Sequence, residues 1–191
     1  MSTRPSPPVA PISPEEYLVA EREAEYKSEY FGGEILAMTG ASREHNLLVS
    51  NLVASLHPQL RGRPCELYPS DMRVKITRTG AYAYPDVVVV CGEPEFEDEH
   101  VDTLLNPTVL IEVLSPSTER HDRGRKWEHY RRLPSLTEFL LVAQDKPRIE
   151  HYLRQEGGLW LFADASGEDA SLRLSSIGCT LALRDVYDKV L

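Results

Sequence analysis

The sequence predicts a three-layer domain of class α/β or α+β with a central mixed β-sheet. Three observations carry this expectation. Short apolar runs that suit strands lie in the middle third of the chain, at 86–91, 109–114 and 139–142. Stretches of helical period are interspersed with them. The run Val87-Val88-Val89-Val90 and the run Val109-Leu110-Ile111 are apolar at consecutive positions, as strands covered on both faces are.

Each element has a local reason. Ser13-Pro14-Glu15-Glu16 starts a helix over 14–24, with a serine cap, a proline in the first turn and two carboxylates at the positive end of the dipole. Tyr26 to Met38 alternates about Gly32-Gly33, a hairpin signal. The clearest helix spans 43–60, where Leu48, Leu52, Leu56 and Leu60 recur every four residues beside Val49 and Val53. Ser42 is its N-cap, and Pro58 is expected to disturb or end its last turn. Met72 to Thr77 alternates, with Arg73 and Lys75 on one face and Met72, Val74 and Ile76 on the other. Arg78-Thr79-Gly80 then turns the chain. The valine strand follows, and residues 93–102 read as an exposed acidic loop. Val109 to Leu114 forms the second buried strand and Ser115-Pro116 stops it. Ser117 or Thr118 caps a helix over about 118–132. Phe139 to Val142 is the third apolar strand. Shorter strands are expected at 148–154, 159–163 and 171–175, with a turn at Glu156-Gly157-Gly158. The proline-rich residues 1–12 read as a loose tail, followed by a single domain over 13–191.

Composition excludes several classes. With 41% hydrophobic and 27% charged residues, the 191-residue chain is globular rather than disordered or fibrous. Its three cysteines (Cys65, Cys91 and Cys179) form no C-x-x-C pair, which speaks against a disulfide framework or a cysteine zinc site and suits a reducing compartment. No apolar run approaches the roughly 20 residues that span a bilayer. The Ser/Pro-rich start has no apolar signal core, so a cytoplasmic protein without membrane contact is expected. The net charge of −9 speaks against a nucleic-acid partner, but its distribution softens that. Six acids lie in residues 93–102, whereas 119–132 holds six basic residues against three acids. That basic helix suits either phosphate contact or a solvated face.

No dinucleotide, Walker, zincin or nucleophile-elbow motif occurs. What the apolar strands contain instead is charge. Asp86 opens the valine run and Glu112 lies within Val-Leu-Ile-Glu-Val-Leu, on the same face as Leu110 and Leu114. Burying an unpaired carboxylate costs several kcal/mol, so such a group is paired, protonated or on a metal. Two acids on neighbouring strands would supply oxygen ligands for Mg2+ or Mn2+. An arginine partner, or a strand end open to solvent, would serve equally. Lys126, Tyr130 and Leu133 share a helix face, so Lys126 is a candidate partner of Glu112, with Asp122 one turn earlier. The alternative is a lysine whose stem packs while its ammonium reaches water. His45 lies on the buried face of helix 43–60 in its first turn, where it could orient a water, contact phosphate or simply be a satisfied core histidine. Trp127 reads as packing.

Taken in order, Pro85-Asp86, Glu112-Val113-Leu114-Ser115-Pro116-Ser117-Thr118, Asp122 and Lys126-x-x-x-Tyr130 resemble the Uma-two family, endonucleases of the restriction-endonuclease-like PD-(D/E)XK superfamily. Glu29-Tyr30-x-x-Gly33-Glu34, the segment Gly40 to Asn46 and Ser70 to Val74 are similar too, and the likeness covers roughly residues 13–155. The superfamily places a lysine two residues after the Glu, where this chain has Leu114; by position the lysine comes from the next helix as Lys126. Gln144 stands where an Asp is expected.

The resemblance implies a restriction-endonuclease-like fold, a central mixed sheet flanked by helices, and Mg2+- or Mn2+-dependent hydrolysis of DNA phosphodiester bonds. Asp86, Glu112 and the carbonyl of Val113 would hold the metal; Asp86, Glu112, Lys126 and His45 would form the catalytic set. Two carboxylates, one divalent ion and Lys126 would leave the site one positive charge, facing a phosphate. A homodimer follows if both strands are cut. A nuclease fold that has lost its reaction and serves as an interaction module is the competing reading, and the acidic surface favours it.

Overall fold

The computed structural model describes residues 12–191, so the expected tail lies outside the described residues except for Ile12, whose carbonyl accepts a hydrogen bond from the Tyr30 hydroxyl at 2.8 Å. Helix α1 (Pro14–Glu23) starts as expected, with Ser13 and Glu16 closing a reciprocal capping box. Strands β1 (Ser28–Phe31) and β2 (Glu34–Ala37) form the hairpin, whose turn needs positive φ at both Gly32 and Gly33. Helix α2 (Arg43–Leu60) is capped by Ser42, which accepts from the His45 amide. It runs through Pro58 to Leu60; the burial of Leu56 and Leu60 carries the last turn past the proline, contrary to expectation.

The remaining strands are β3 (Cys65–Pro69), β4 (Arg73–Ile76), β5 (Ala81–Ala83), β6 (Val87–Cys91), β7 (Thr103–Leu104), β8 (Val109–Val113), β9 (Glu138–Val142), β10 (Arg148–Arg154), β11 (Trp160–Ser166), β12 (Ser171–Leu174) and β13 (Cys179–Ala182). Six of them build a mixed sheet in the order β11-β10-β9-β8-β6-β3, where only β8 and β9 run parallel. This confirms the predicted fold class. A second sheet, β2-β1-β5-β4-β7, and the hairpin β12-β13 were not foreseen.

Both faces of the large sheet are covered, which is why its central strands are apolar at every position. Val87, Val89, Val109 and Ile111 pack with the leucine stripe of α2 and the C-terminal hairpin. Val88, Val90, Leu110 and Leu114 pack on the other side with Phe31, Val74, Ile76 and Ala83 of the second sheet. Helix α1 covers that sheet's outer face through a cluster of Tyr17, Leu18, Tyr30 and Tyr82.

Three other expectations are corrected. The helix expected over 118–132 is three pieces: α3 (Glu119–His121), a π-helical turn (Asp122–Lys126) and α4 (Trp127–Tyr130). The amide of Trp127 reaches back to the carbonyl of Asp122, five residues earlier. The acidic stretch 93–102 is anchored rather than free: Asp98 and Asp102 both bind Arg22, Asp102 binds Arg73, and Glu97 pairs with Lys75. Cys65 and Cys91 form a disulfide, because β3 and β6 place them directly opposite each other 26 residues apart, whereas Cys179 is free and buried. Among the described residues no helix is long and apolar enough to cross a membrane.

Candidate active site

Strands β6 and β8 are antiparallel neighbours, so the start of one meets the end of the other. Asp86 immediately precedes β6, and its Oδ2 accepts from the amide of Val113 at 2.7 Å. Glu112 is the adjacent residue on β8, and is 2% exposed. The two acids singled out from the apolar strands therefore stand at the same end of the same pair of strands. His45, in the first turn of α2, faces Asp86 with Nε2 3.1 Å from Oδ1. A cleft of about 940 Å3 opens here, lined by Asp86, Glu112, Val113, Lys126 and His45 among others.

Lys126 reaches Glu112 from the π-helical turn. Its Nζ lies 3.1 Å from Glu112 Oε1, 2.9 Å from Glu29 Oε1 and 3.4 Å from Asp122 Oδ1. The Tyr130 hydroxyl donates to the same Glu112 oxygen at 2.7 Å. Glu29 Oε1 also accepts from the amide of Tyr84 at 3.0 Å, and His121 Nε2 stands 3.5 Å from Glu29 Oε2. Lys126 thus donates a hydrogen bond to Glu112 and stands within ion-pair distance of Glu29 and Asp122 as well.

Burial decides the protonation of this cluster. It pushes the Glu112 carboxyl well above the usual carboxylate range; Lys126 opposes the rise, and Asp122, Asp86 and Glu29 add to it. Burial likewise raises Asp122 against the pull of Lys126. Glu29 behaves differently: burial opposes its charge, but Lys126, His121 and the Tyr84 amide outweigh it and hold its carboxyl below the ordinary value. Burial disfavours charge on Lys126 as well, yet Glu112, Glu29 and Asp122 raise its ammonium well above the ordinary range. Lys126 is therefore charged at neutral pH, and Glu112 is the acid most ready to take up a proton.

Glu29 was missed as a site residue. Strand alternation alone could have found it, since Glu29 shares a face with Phe31, which packs against the large sheet. Glu29 and Asp122 also change the expected charge. Four carboxylates around one ammonium leave the site one negative charge when a divalent ion is added, not one positive. Gln144 lies at the cleft wall, with Ser42 Oγ donating to its Oε1 at 3.0 Å. Trp127 packs, stacked 5.3 Å from Phe139 and tilted 4.5 Å from Tyr152.

Among the described residues no group of three or more His, Cys, Asp or Glu side chains is gathered closely enough to hold a metal ion by itself. Mg2+ does not require such a cage. It keeps several waters and binds through one or two carboxylates plus substrate oxygens. Asp86, Glu112 and the carbonyl of Val113 are oxygen donors of that hard kind and could hold it.

The fold is that of an α+β protein with mixed sheets flanked by helices, and its cleft gathers acids from both sheets around one lysine. The chain belongs to the Uma2 family, described as "Putative restriction endonuclease", whose model matches residues 14–184. It is similar to two uncharacterised proteins of Synechocystis sp., sll1609 and slr1290. The first is 40% identical over 160 residues, covering 84% of this chain and 90% of the relative. The second is 38% identical over 183 residues, covering 96% and 95%. A crystal structure from Anabaena variabilis, described as "a putative nuclease belonging to DUF820", shares the fold with a TM-score of 0.78 at 20% identity, covering 95% of this chain and all of that one.

Proposed function

We propose that the protein is a Mg2+-dependent endonuclease that hydrolyses DNA phosphodiester bonds. The observation that carries this reading is the meeting of Asp86 and Glu112 at one end of β6 and β8, with a buried lysine against Glu112. Asp86, Glu112 and the Val113 carbonyl would hold the ion. When bound, Mg2+ supplies a Lewis acid that polarises a phosphoryl oxygen and lowers the pKa of a bound water.

The chain's own residues do the rest. The Val113 amide fixes one oxygen of Asp86 and leaves the other beside His45. His45 holds that carboxylate in place and faces the cleft, where it can orient a water. Tyr130 and Lys126 fix Glu112 by donating hydrogen bonds to its Oε1. The charge of Lys126, held in a dry site, favours negative charge building on the phosphoryl oxygens. Cutting both strands needs two such sites, so the working unit in this reading is a homodimer.

The test is cleavage of supercoiled plasmid and of single-stranded DNA, with Mg2+, Mn2+ or chelator, by wild type beside Asp86→Ala. Cleavage by wild type that needs the ion and falls at least ~10²-fold in the variant supports the reading. A wild type inert under every metal condition overturns it in favour of an interaction module. Light scattering decides the dimer.

A further inference from the structure

Lys126 is enclosed by acids from three separate elements. Glu29 comes from β1 of the second sheet, Glu112 from β8 of the large sheet and Asp122 from the π-helical turn. Their side chains are 6%, 3% and 3% exposed, and that of Lys126 is 7%. Among the described residues no other lysine or arginine comes within ion-pair distance of these three carboxylates. The ammonium is therefore the one fixed cation of a buried three-carboxylate cage. Its oxygens stand 2.9–3.4 Å from the nitrogen. A divalent ion would draw them to about 2.0–2.6 Å, a contraction of roughly 1 Å.

We propose that the Lys126 ammonium fills a second cation position built by Glu29, Glu112 and Asp122, so that the protein takes a single divalent ion, at Asp86 and Glu112. Glu29 and Asp122 are then positioning residues, which act on the reaction by holding Lys126 against Glu112. Charge agrees with this assignment. With the ammonium in place, one divalent ion leaves the four carboxylates with one negative charge in excess. With the ammonium removed, two divalent ions balance them. The proposal rests on the endonuclease reading only for the first ion.

The experiment counts Mn2+ bound per chain, by equilibrium dialysis with metal analysis, in wild type, Lys126→Ala and Lys126→Ala/Glu29→Gln. The expected counts are one, two and one. Melting should agree, with Mn2+ raising the transition of Lys126→Ala further than that of wild type. Equal counts in wild type and Lys126→Ala overturn the proposal, as do two ions in wild type. Should Lys126→Ala fail to fold without metal, circular dichroism in millimolar Mn2+ replaces the count. Recovery of the fold supports the second ion and no recovery overturns it. Failure of the endonuclease reading has a different signature: wild type then binds no ion and Lys126→Ala binds one.

Discussion

Glu112 sits on the strand face that also carries Leu110 and Leu114, and its Oε1 accepts from both Lys126 and Tyr130. Burial raises its carboxyl well above the ordinary value of 4.5. The folded state therefore keeps a proton that the unfolded chain has already released. Below the ordinary value this contribution to stability is fully present, and it is lost as pH rises through the folded value. Glu112→Gln keeps the shape without the charge. In chelator it should melt above wild type, with the gap opening as pH rises past about 4.5. Wild type should gain about 2.7 kcal/mol from Mg2+ at 100 times its Kd, and the variant should not. Equal stabilisation of both proteins by Mg2+ would remove Glu112 from the metal site. His45 makes a second case, because it acts on Asp86 from 3.1 Å. Loss of such an orienting partner typically costs 10–100-fold in metal affinity, so His45→Ala should weaken Mn2+ binding by about that factor in calorimetry. An unchanged Kd would leave His45 a packing residue. Asp86 and Glu112 were legible because a charge inside an apolar strand is costly and therefore conspicuous. Glu29 was passed over because its strand has only four residues, so its alternation with Phe31 is a weaker signal than a charge inside a continuous apolar run.

Continuous or periodic burial made β6, β8, β9 and α2 legible in the sequence, capping residues made α1 legible, and turn signals and short strand patterns did the same for β1, β2, β4, β10, β11 and β12. The strands that escaped are short or mixed. Strand β7 has two residues, β5 has three, and β3 carries Glu66 and ends at Pro69. Their pairing is also non-local: Tyr30 of β1 meets Tyr82 of β5, across a long stretch of chain that includes α2. Such pairs leave no local pattern. The helical stretch 119–130 was legible as a helix but not as one with a π-helical turn. That turn widens the backbone where Asp122 and Lys126 enter the core, and π-turns are frequent at functional sites. Strand β3 is the outer strand of the large sheet, and the disulfide ties it to β6 across a separation of 26 residues. Closing a loop of that length removes roughly 3 kcal/mol of unfolded-state entropy. Reduction, or Cys65→Ser, should therefore lower the melting temperature by roughly 6–12 °C in a chain of this size. A transition unmoved by reductant would mean that β6 and α2 hold β3 without the bond.

Across the whole molecule the acids and bases are largely spent on one another. The acidic stretch 93–102 fastens α1 and the second sheet, through Arg22, Arg73 and Lys75. Arg22 holds the Asp102 carboxyl well below the usual range, so this tie is complete at neutral pH and weakens only as pH falls through that depressed value. The basic run 119–132 is likewise committed. Arg123 binds Glu119 and Glu150, Arg125 binds Glu34, and Arg132 faces Glu128; only Arg120 and Arg131 make no ion pair among the described residues. The cleft is lined by two lysines and no arginine, and Lys27 is paired with Asp71 while Lys126 is enclosed by its three acids. With a net charge of −9 as well, little free positive charge is left to track a phosphate backbone. Contact with DNA in the proposed reaction would then run through the metal, the hydroxyls of Thr39, Ser42, Ser115 and Ser117, and main-chain amides. Each neutralised phosphate contributes about −0.9 to the slope of log affinity against log salt. One or two such contacts predict a slope of roughly −1 to −2, so KM should rise only about 4- to 16-fold between 50 and 200 mM NaCl at fixed Mg2+. A protein gripping six to ten phosphates loses roughly 10³–10⁵ over the same range. A loss of that size would show that the arginines of 119–132 exchange their carboxylate partners for DNA, and that the helical face, rather than the cleft wall, carries the duplex.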